Sequence, residues 1–254
     1  PGTTVDWVAR SMASRMSKVL GQNIIVENPG SNSNAAAMAL ITKVIKSEPN
    51  GCTLLMSDWN YQVLKPGLSQ AAYDPLNDFT PISLAPINPF VIVTRADHPA
   101  NSILEMQGFL SLNPDRGRVG VPPGSPELTS AVYLQSFLNS RLTFVSLGGF
   151  NADEAAAQLK DGKVDFIIGQ AGPWSNKPGT KILAVIASQR LKGLPHIPTV
   201  DEAGLPGFYS ANWRGVWAPR NTSPDIVQRL DAAIVSALSD QSLVADMRLQ
   251  EVRS

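Results

Sequence analysis

Residues 118–147, RVGVPPGSPELTSAVYLQSFLNSRLTFVSL, set the grammar of the chain. Arg118 to Val121 is an apolar run of strand length, Pro122-Pro123-Gly124-Ser125 is a turn opening a helix that reaches about Leu138, and Leu142 to Leu147 is a second strand. Strand, glycine turn, helix, strand is the repeating unit of an α/β protein. The pattern continues through the loop Gly148-Gly149-Phe150-Asn151, a helix from Ala152 to Lys160 and a strand from Val164 to Ile168.

The same order runs outward on both sides. Upstream, Val5, Val8, Ala9, Met12, Met16 and Val19 recur at helical spacing before Gly21, and Thr3-x-x-Asp6 has the form of a capping box. Ile24-Ile25-Val26 reads as β-rich, the loop Pro29 to Asn34 opens an alanine-rich helix from about Ala35 to Ile45, and Thr53 to Met56 reads as a strand. Alternation of this kind predicts a mostly parallel sheet. After the proline-rich stretch Tyr73 to Pro89, Phe90 to Thr94 reads as a strand leaving the first unit, and Ser102-x-x-Glu105 caps a helix in the second. Downstream come strands at Ile182 to Ala187 and Arg214 to Ala218, then a helix from Pro224 to about Leu238 that rejoins the first unit. The expected division is residues 1–95 plus 211–254 as a discontinuous first domain and 96–210 as the second. The opening Pro1-Gly2-Thr3-Thr4-Val5-Asp6 reads as the loop and helix that follow a strand, so an upstream piece is expected.

Composition narrows the function. The 254 residues are 43% hydrophobic and only 17% charged, with 21 basic and 21 acidic side chains. No basic surplus exists to neutralise a phosphate backbone, so nucleic acid is not an expected partner. One cysteine, Cys52, excludes an intramolecular disulfide and any site built on several thiolates. The two histidines, His98 and His196, each sit beside a proline and read as turn residues. No apolar run approaches the roughly 20 residues that cross a bilayer. Walker A, GxGxxG, GxSxG, HExxH and paired CxxC patterns are all missing from the sequence, and neither a metal nor an organic cofactor is expected.

What does recur is glycine followed by hydroxyl or amide residues at a helix start: Gly2-Thr3-Thr4, Gly30 to Asn34, Gly124-Ser125, and Gly148-Gly149 to Asn151. Glycine lets a ligand approach the backbone, the first N–H groups of a helix are free, and the dipole adds positive potential, so such ends bind anions without lysine or arginine. Two lie in each half, and together they suit a ligand with carboxylates at both ends. Each has a plainer reading as an ordinary cap, with Thr3, Ser125 and Asn151 satisfying their own helices. Asp6 likewise completes a capping box or meets the ligand. Trp59, Trp174 and Trp213 form a pocket wall or simply pack. Ser57 and Gln170, each just past a predicted strand, complete the candidate set.

Several blocks in order resemble one family. They are Pro-Gly-x-x-x-Asp6 with Ala9-Arg10, Leu20-Gly21-Gln22, Val26-Glu27-Asn28-x-Gly30, Asn50-Gly51-x-Thr53-Leu54-Leu55, and Tyr73-Asp74-Pro75-x-x-Asp78-Phe79-Thr80-Pro81-Ile82. Later come Leu194-Pro195-x-Ile197-Pro198-Thr199, Glu202-Ala203-Gly204-x-Pro206-Gly207-Phe208, Trp213-x-Gly215 and Ala218-Pro219. Together they resemble the Bug/TctC family, the substrate-binding proteins of tripartite tricarboxylate transporters, along essentially the whole chain.

The resemblance implies a two-domain periplasmic-binding-protein fold of type II, the Venus flytrap, with the ligand cleft between the domains. It implies a non-enzymatic, monomeric shuttle, exported to the bacterial periplasm by a signal peptide that this chain does not include. The shuttle captures a small organic mono- or dicarboxylate and delivers it to membrane permease subunits. Family contacts fall on Gly2, Thr3, Thr4, Asn34, Gly124, Ser125, Gly148 and Gly149. The chain departs from the pattern at Thr3, at Asn32-Ser33, at Leu128 and at Val145-Ser146-Leu147. Two other readings share the fold: a sensor or scavenger presenting a carboxylate to a signalling partner, and an enzyme using Asp6 or Ser125. A bulky side chain at Gly124 is expected to weaken binding without disturbing the fold.

Overall fold

The computed structural model describes residues 4–29, 34–68, 72–85, 88–148 and 151–244. In chain order the elements are α1 Thr4–Leu20, α2 Asn34–Ile45, β1 Leu55–Asp58, a π-helical turn Asn60–Leu64, α3 Lys65–Leu68, β2 Phe79–Leu84 and β3 Asn88–Arg95. Then follow α4 Ile103–Leu112, β4 Arg118–Val121, α5 Pro126–Leu138, β5 Thr143–Ser146, α6 Ala152–Lys160 and β6 Phe166–Gln170. The chain ends in β7 Thr180–Val185, β8 Ala211–Asn212, β9 Arg214–Pro219 and α7 Pro224–Leu238. Its described residues divide into two compact units, the first built from residues up to 85 and from 213 to 244, the second from 88 to 212.

In the first unit the sheet order is β1-β9-β2, and β9 runs antiparallel to both neighbours. Val216 and Trp217 of β9 point to opposite faces, as successive strand residues must. Val216 packs with Val8, Met12 and Met16 of α1 and with Ala233, Ile234 and Ala237 of α7. Trp217 packs with Ile41 and Val44 of α2 and with Leu55, Tyr73 and Phe79. Val8, Met12 and Met16 of the helical stripe read for α1 are buried, while Val19 at its end is 54% exposed, and Gly21 ends the helix at φ +66°.

Three expectations change here. Ile24-Ile25-Val26 forms no strand: no neighbour pairs with it among the described residues, and Ile25 is 77% exposed. The described strands of this unit are antiparallel rather than mostly parallel, because β9 enters from the second unit's end of the sequence and runs back between β1 and β2. The proline-rich stretch contains β2, where the register shifts between Pro81 and Ser83. Proline lacks the ladder donor and is accommodated at a sheet edge or bulge, and β2 offers both.

The second unit has strand order β5-β4-β6-β3-β7, with β8 pairing the start of β3. β4 runs parallel to β5 and β6, and β3 antiparallel to β6 and β7. β3 therefore belongs to this sheet and not, as its sequence position suggested, to the first unit. Helices cover both faces, which is why Phe90-Val91-Ile92-Val93 is a continuous apolar run without exposure. Phe90 and Ile92 join Ile103, Met106 and Leu110 of α4 and Leu134 and Leu138 of α5. Val91 and Val93 join Leu159 of α6 and Trp174.

One charged group is wholly inside this unit. Asp165 is 0% exposed; Arg118 grips it with Nε on Oδ2 at 2.8 Å and Nη2 on Oδ1 at 2.9 Å, and the Arg118 backbone N–H adds a bond at 3.2 Å. Arg116 lies 3.3 Å from Oδ1. A buried carboxylate needs such a forked partner, and this one fastens the start of β6 to the start of β4.

Gly204, in the motif block Glu202-Ala203-Gly204, has φ +97°, and a Cβ there would lie 2.7 Å from Leu104 Cδ2 of α4. Left-handed strain and overpacking then add. Gly204→Ala should lower unfolding stability by about 2–4 kcal/mol, read as a reduced denaturation midpoint.

Candidate functional site

In the parallel part of the second unit the strand ends converge. Val121 of β4 sits opposite Ser146 of β5, and Gly120 opposite Ile167 of β6, so the carboxyl ends of three adjacent strands share one sheet edge. The loops leaving that edge contain Gly124 and Ser125 after β4 and Gly148 after β5, while Gln170 is the last residue of β6. This is where open α/β sheets bind ligands. Four of the sequence candidates are thereby brought together. Gly149 lies outside the described residues.

The capping side chains serve their own helices. Ser125 Oγ accepts from Leu128 N at 3.1 Å and donates to the Pro122 carbonyl at 2.8 Å. Asn151 Oδ1 accepts from Asp153 N and Glu154 N at 2.9 and 3.3 Å. The plainer reading of these two side chains is therefore the observed one. Gly124 has φ +64°, so a β-branched residue there strains the backbone; Gly148 has no such constraint, and a Cβ on it meets no atom of the described residues within 4 Å. Gly148, not Gly124, is the position where bulk tests the loop without testing the fold.

Gly2 and Thr3 lie outside the described residues. Thr4 and Asn34 are the first residues of α1 and α2, with their side chains outside the description. Asp6 is buried in the first turn of α1 and accepts from Arg10 Nε at 2.9 Å and Asn28 Nδ2 at 2.6 Å, bracing α1 against the 24–29 segment. Trp59 follows β1 and donates its backbone N–H to the Trp213 carbonyl at 3.2 Å. Trp174 is core, and Trp213 stacks at a tilt with Trp217, ring centroids 6.1 Å apart.

The carboxyl end of β1 holds the candidate Ser57 beside groups the sequence reading passed over. Ser57 is 6% exposed with its Oγ unpartnered, and Asn60 Oδ1 and Gln62 Nε2 are likewise buried without a hydrogen bond among the described residues. Asp58 Oδ1 accepts from Asn60 N at 3.1 Å and Tyr61 N at 3.4 Å, starting the π-helical turn. Burial pushes its carboxyl above the usual range, against the pull of those amides and of the Arg214 charge. Arg214 stands directly across from Asp58 on β9. Its signal in the sequence was a charged residue in an otherwise apolar strand.

Glu127, two residues past Ser125, is a second missed group: 5% exposed in the first turn of α5, with its carboxyl raised by desolvation. Both histidines are turn residues. His98 is buried, its Nδ1 accepts from Ala100 N at 3.1 Å, and burial lowers its pKa, while His196 is exposed. Among the described residues no group of three His, Cys, Asp or Glu is placed to hold a metal, and no helix is long and apolar enough to cross a membrane.

Solved structures define the class. The chain resembles a TctC solute-binding protein from Polaromonas without ligand, with 28% identity and a TM-score of 0.85, covering 98% of this chain and 85% of that one. It also resembles MatC from Rhodopseudomonas palustris with bound malate, with 28% identity and a TM-score of 0.67, covering 100% and 93%. The fold is that of a two-domain α/β periplasmic binding protein. The family model described as tripartite tricarboxylate transporter family receptor, TctC, matches residues 8–252, and the chain belongs to that family. A UPF0065 protein of Agrobacterium vitis, from the TAR-I ttuE-ttuC' intergenic region, is 29% identical over 247 residues, 96% of this chain and 70% of the relative. Bug/TctC proteins are solute-binding proteins, so the motif blocks identified their family correctly.

Glu127 yields a pH prediction. A carboxyl with a raised pKa in the fold favours the protonated folded state, so stability falls as pH rises through the ordinary carboxyl value and on to the raised one. Glu127→Gln should raise the thermal midpoint by a few degrees at pH 7, with the gain vanishing below about pH 4.

Proposed function

We propose that this protein captures a small organic mono- or dicarboxylate in the periplasm and hands it to the membrane subunits of a tripartite tricarboxylate transporter, working as a monomer. The observation that carries the reading is the edge of the second unit, where three parallel strands end in loops leading to the helix starts of α5 and α6. Free N–H groups and the helix dipole attract an anion there. The malate bound by MatC shows the chemical class that one similar protein takes.

The proposed contacts are Gly2, Thr3, Thr4, Asn34, Ser57 and Trp59 from the first unit and Gly124, Ser125, Gly148, Gly149 and Gln170 from the second. Asp6 serves as the brace of α1, since its carboxylate is already bonded to Arg10 and Asn28.

Thermal unfolding against malate, succinate, adipate, monocarboxylates, amino acids and sugars tests the reading. A ligand at a hundred times its dissociation constant adds about 2.7 kcal/mol, so the midpoint should rise by roughly 5–10 °C. The rise should be confined to one carboxylate class; no rise with any carboxylate overturns the proposal. Gly148→Val should keep the midpoint of the ligand-free protein and weaken carboxylate binding at least tenfold, about 1.4 kcal/mol, by isothermal titration.

A further inference from the structure

We propose that Arg214 is the side chain that grips a carboxylate of the ligand in the first unit, a role the glycine loops alone do not fill. The inference rests on the carboxylate-binding reading above and names a specific anchor for it.

Arg214 is 7% exposed, yet its Nε is buried without a hydrogen bond, and its guanidinium makes no ion pair or hydrogen bond with any described residue. A guanidinium has five donors and stays charged, so burying it with its donors unfilled is costly. Burial lowers its pKa from the usual arginine value, and Asp58 opposes that effect through its charge. Asp58 supplies a field but no bond. It faces Arg214 across the β1–β9 ladder, while its Oδ1 is held by the amides of Asn60 and Tyr61. By contrast, Arg118 in the second unit is gripped by its buried aspartate through two parallel bonds. The fork of Arg214 therefore lacks the partner that the fork of Arg118 has.

Its place in the fold says what that partner is. Asp58 is the last residue of β1 and Arg214 the first of the antiparallel β9, so the pair marks the carboxyl end of β1. The orphaned Ser57 Oγ, Asn60 Oδ1 and Gln62 Nε2 occupy the same segment. A planar carboxylate matches a guanidinium fork with two parallel bonds. Asp58, close by and anionic, disfavours a second negative charge at this end, so Arg214 holds one carboxylate of the ligand and no more.

The test uses the panel carboxylate that gives the largest thermal shift, with its primary amide as a neutral control. Arg214→Lys keeps the charge but loses the fork; Arg214→Met combined with Asp58→Asn removes both charges, so that no lone carboxylate is left buried. Both variants should retain a cooperative transition without ligand and bind the carboxylate on the order of 100-fold more weakly, as expected when a charged hydrogen-bonded pair is lost. In the double variant the preference for carboxylate over amide should also collapse. Asp58→Asn alone should bind the carboxylate as tightly as the parent or more so. Affinity within threefold of the parent in a folded double variant, with the amide still rejected, overturns the role of Arg214 and leaves the carboxylate reading standing. If the parent protein binds no carboxylate, both fail.

Discussion

β9 is the strand on which the first unit depends. All six of its residues are buried, and it lies between β1 and β2 as their shared hydrogen-bonding partner. Its side-chain alternation separates two cores: Val216 gathers α1 and α7 on one face, and Trp217 gathers α2 on the other. Gly215 between them leaves room for the indole of Trp217, since a Cβ at that position would meet the ring at 2.6 Å. The motif Trp213-x-Gly215 is thus a packing requirement of the central strand. The residue within it, Arg214, lies at the strand's start, opposite Asp58 at the end of β1.

The second unit solves the same problem differently. Its central strands are apolar on both faces because helices lie on both, and the wholly buried Asp165 is neutralised by a forked arginine. The carboxyl ends of β4 and β5 lead into the glycine sequences that begin at Gly124 and Gly148. The caps Ser125 and Asn151 satisfy the first turns of α5 and α6, so these side chains are committed to their own helices. This agrees with a receptor for small anions in which side-chain identity on the second-unit loops is loosely constrained.

Much of this was legible from local pattern. Helical spacing located α1, α2, α5, α6 and α7, capping residues located their starts, and the ordered motif blocks named the family. The misses share one cause. Ile24 to Val26 has β propensity but no paired neighbour among the described residues; β2 contains a proline that a bulge at the sheet edge accommodates; β3 was assigned to the wrong unit because adjacency in sequence does not reveal strand pairing. At the site, glycine loops announce themselves, whereas Asp58, Arg214 and Glu127 look like ordinary surface charges until their burial is known.

The sequence by itself determined the α/β alternation, the helix termini and the class of ligand-binding protein, because periodicity, capping and motif order are local properties that survive in one dimension. Only the tertiary structure decided strand order, which glycines lack room for a Cβ, and which charges are buried without partners. Those properties arise from atoms distant in sequence: Gly204 meets Leu104, Asp165 meets Arg118, and Arg214 faces Asp58, each a long-range encounter that no local window contains.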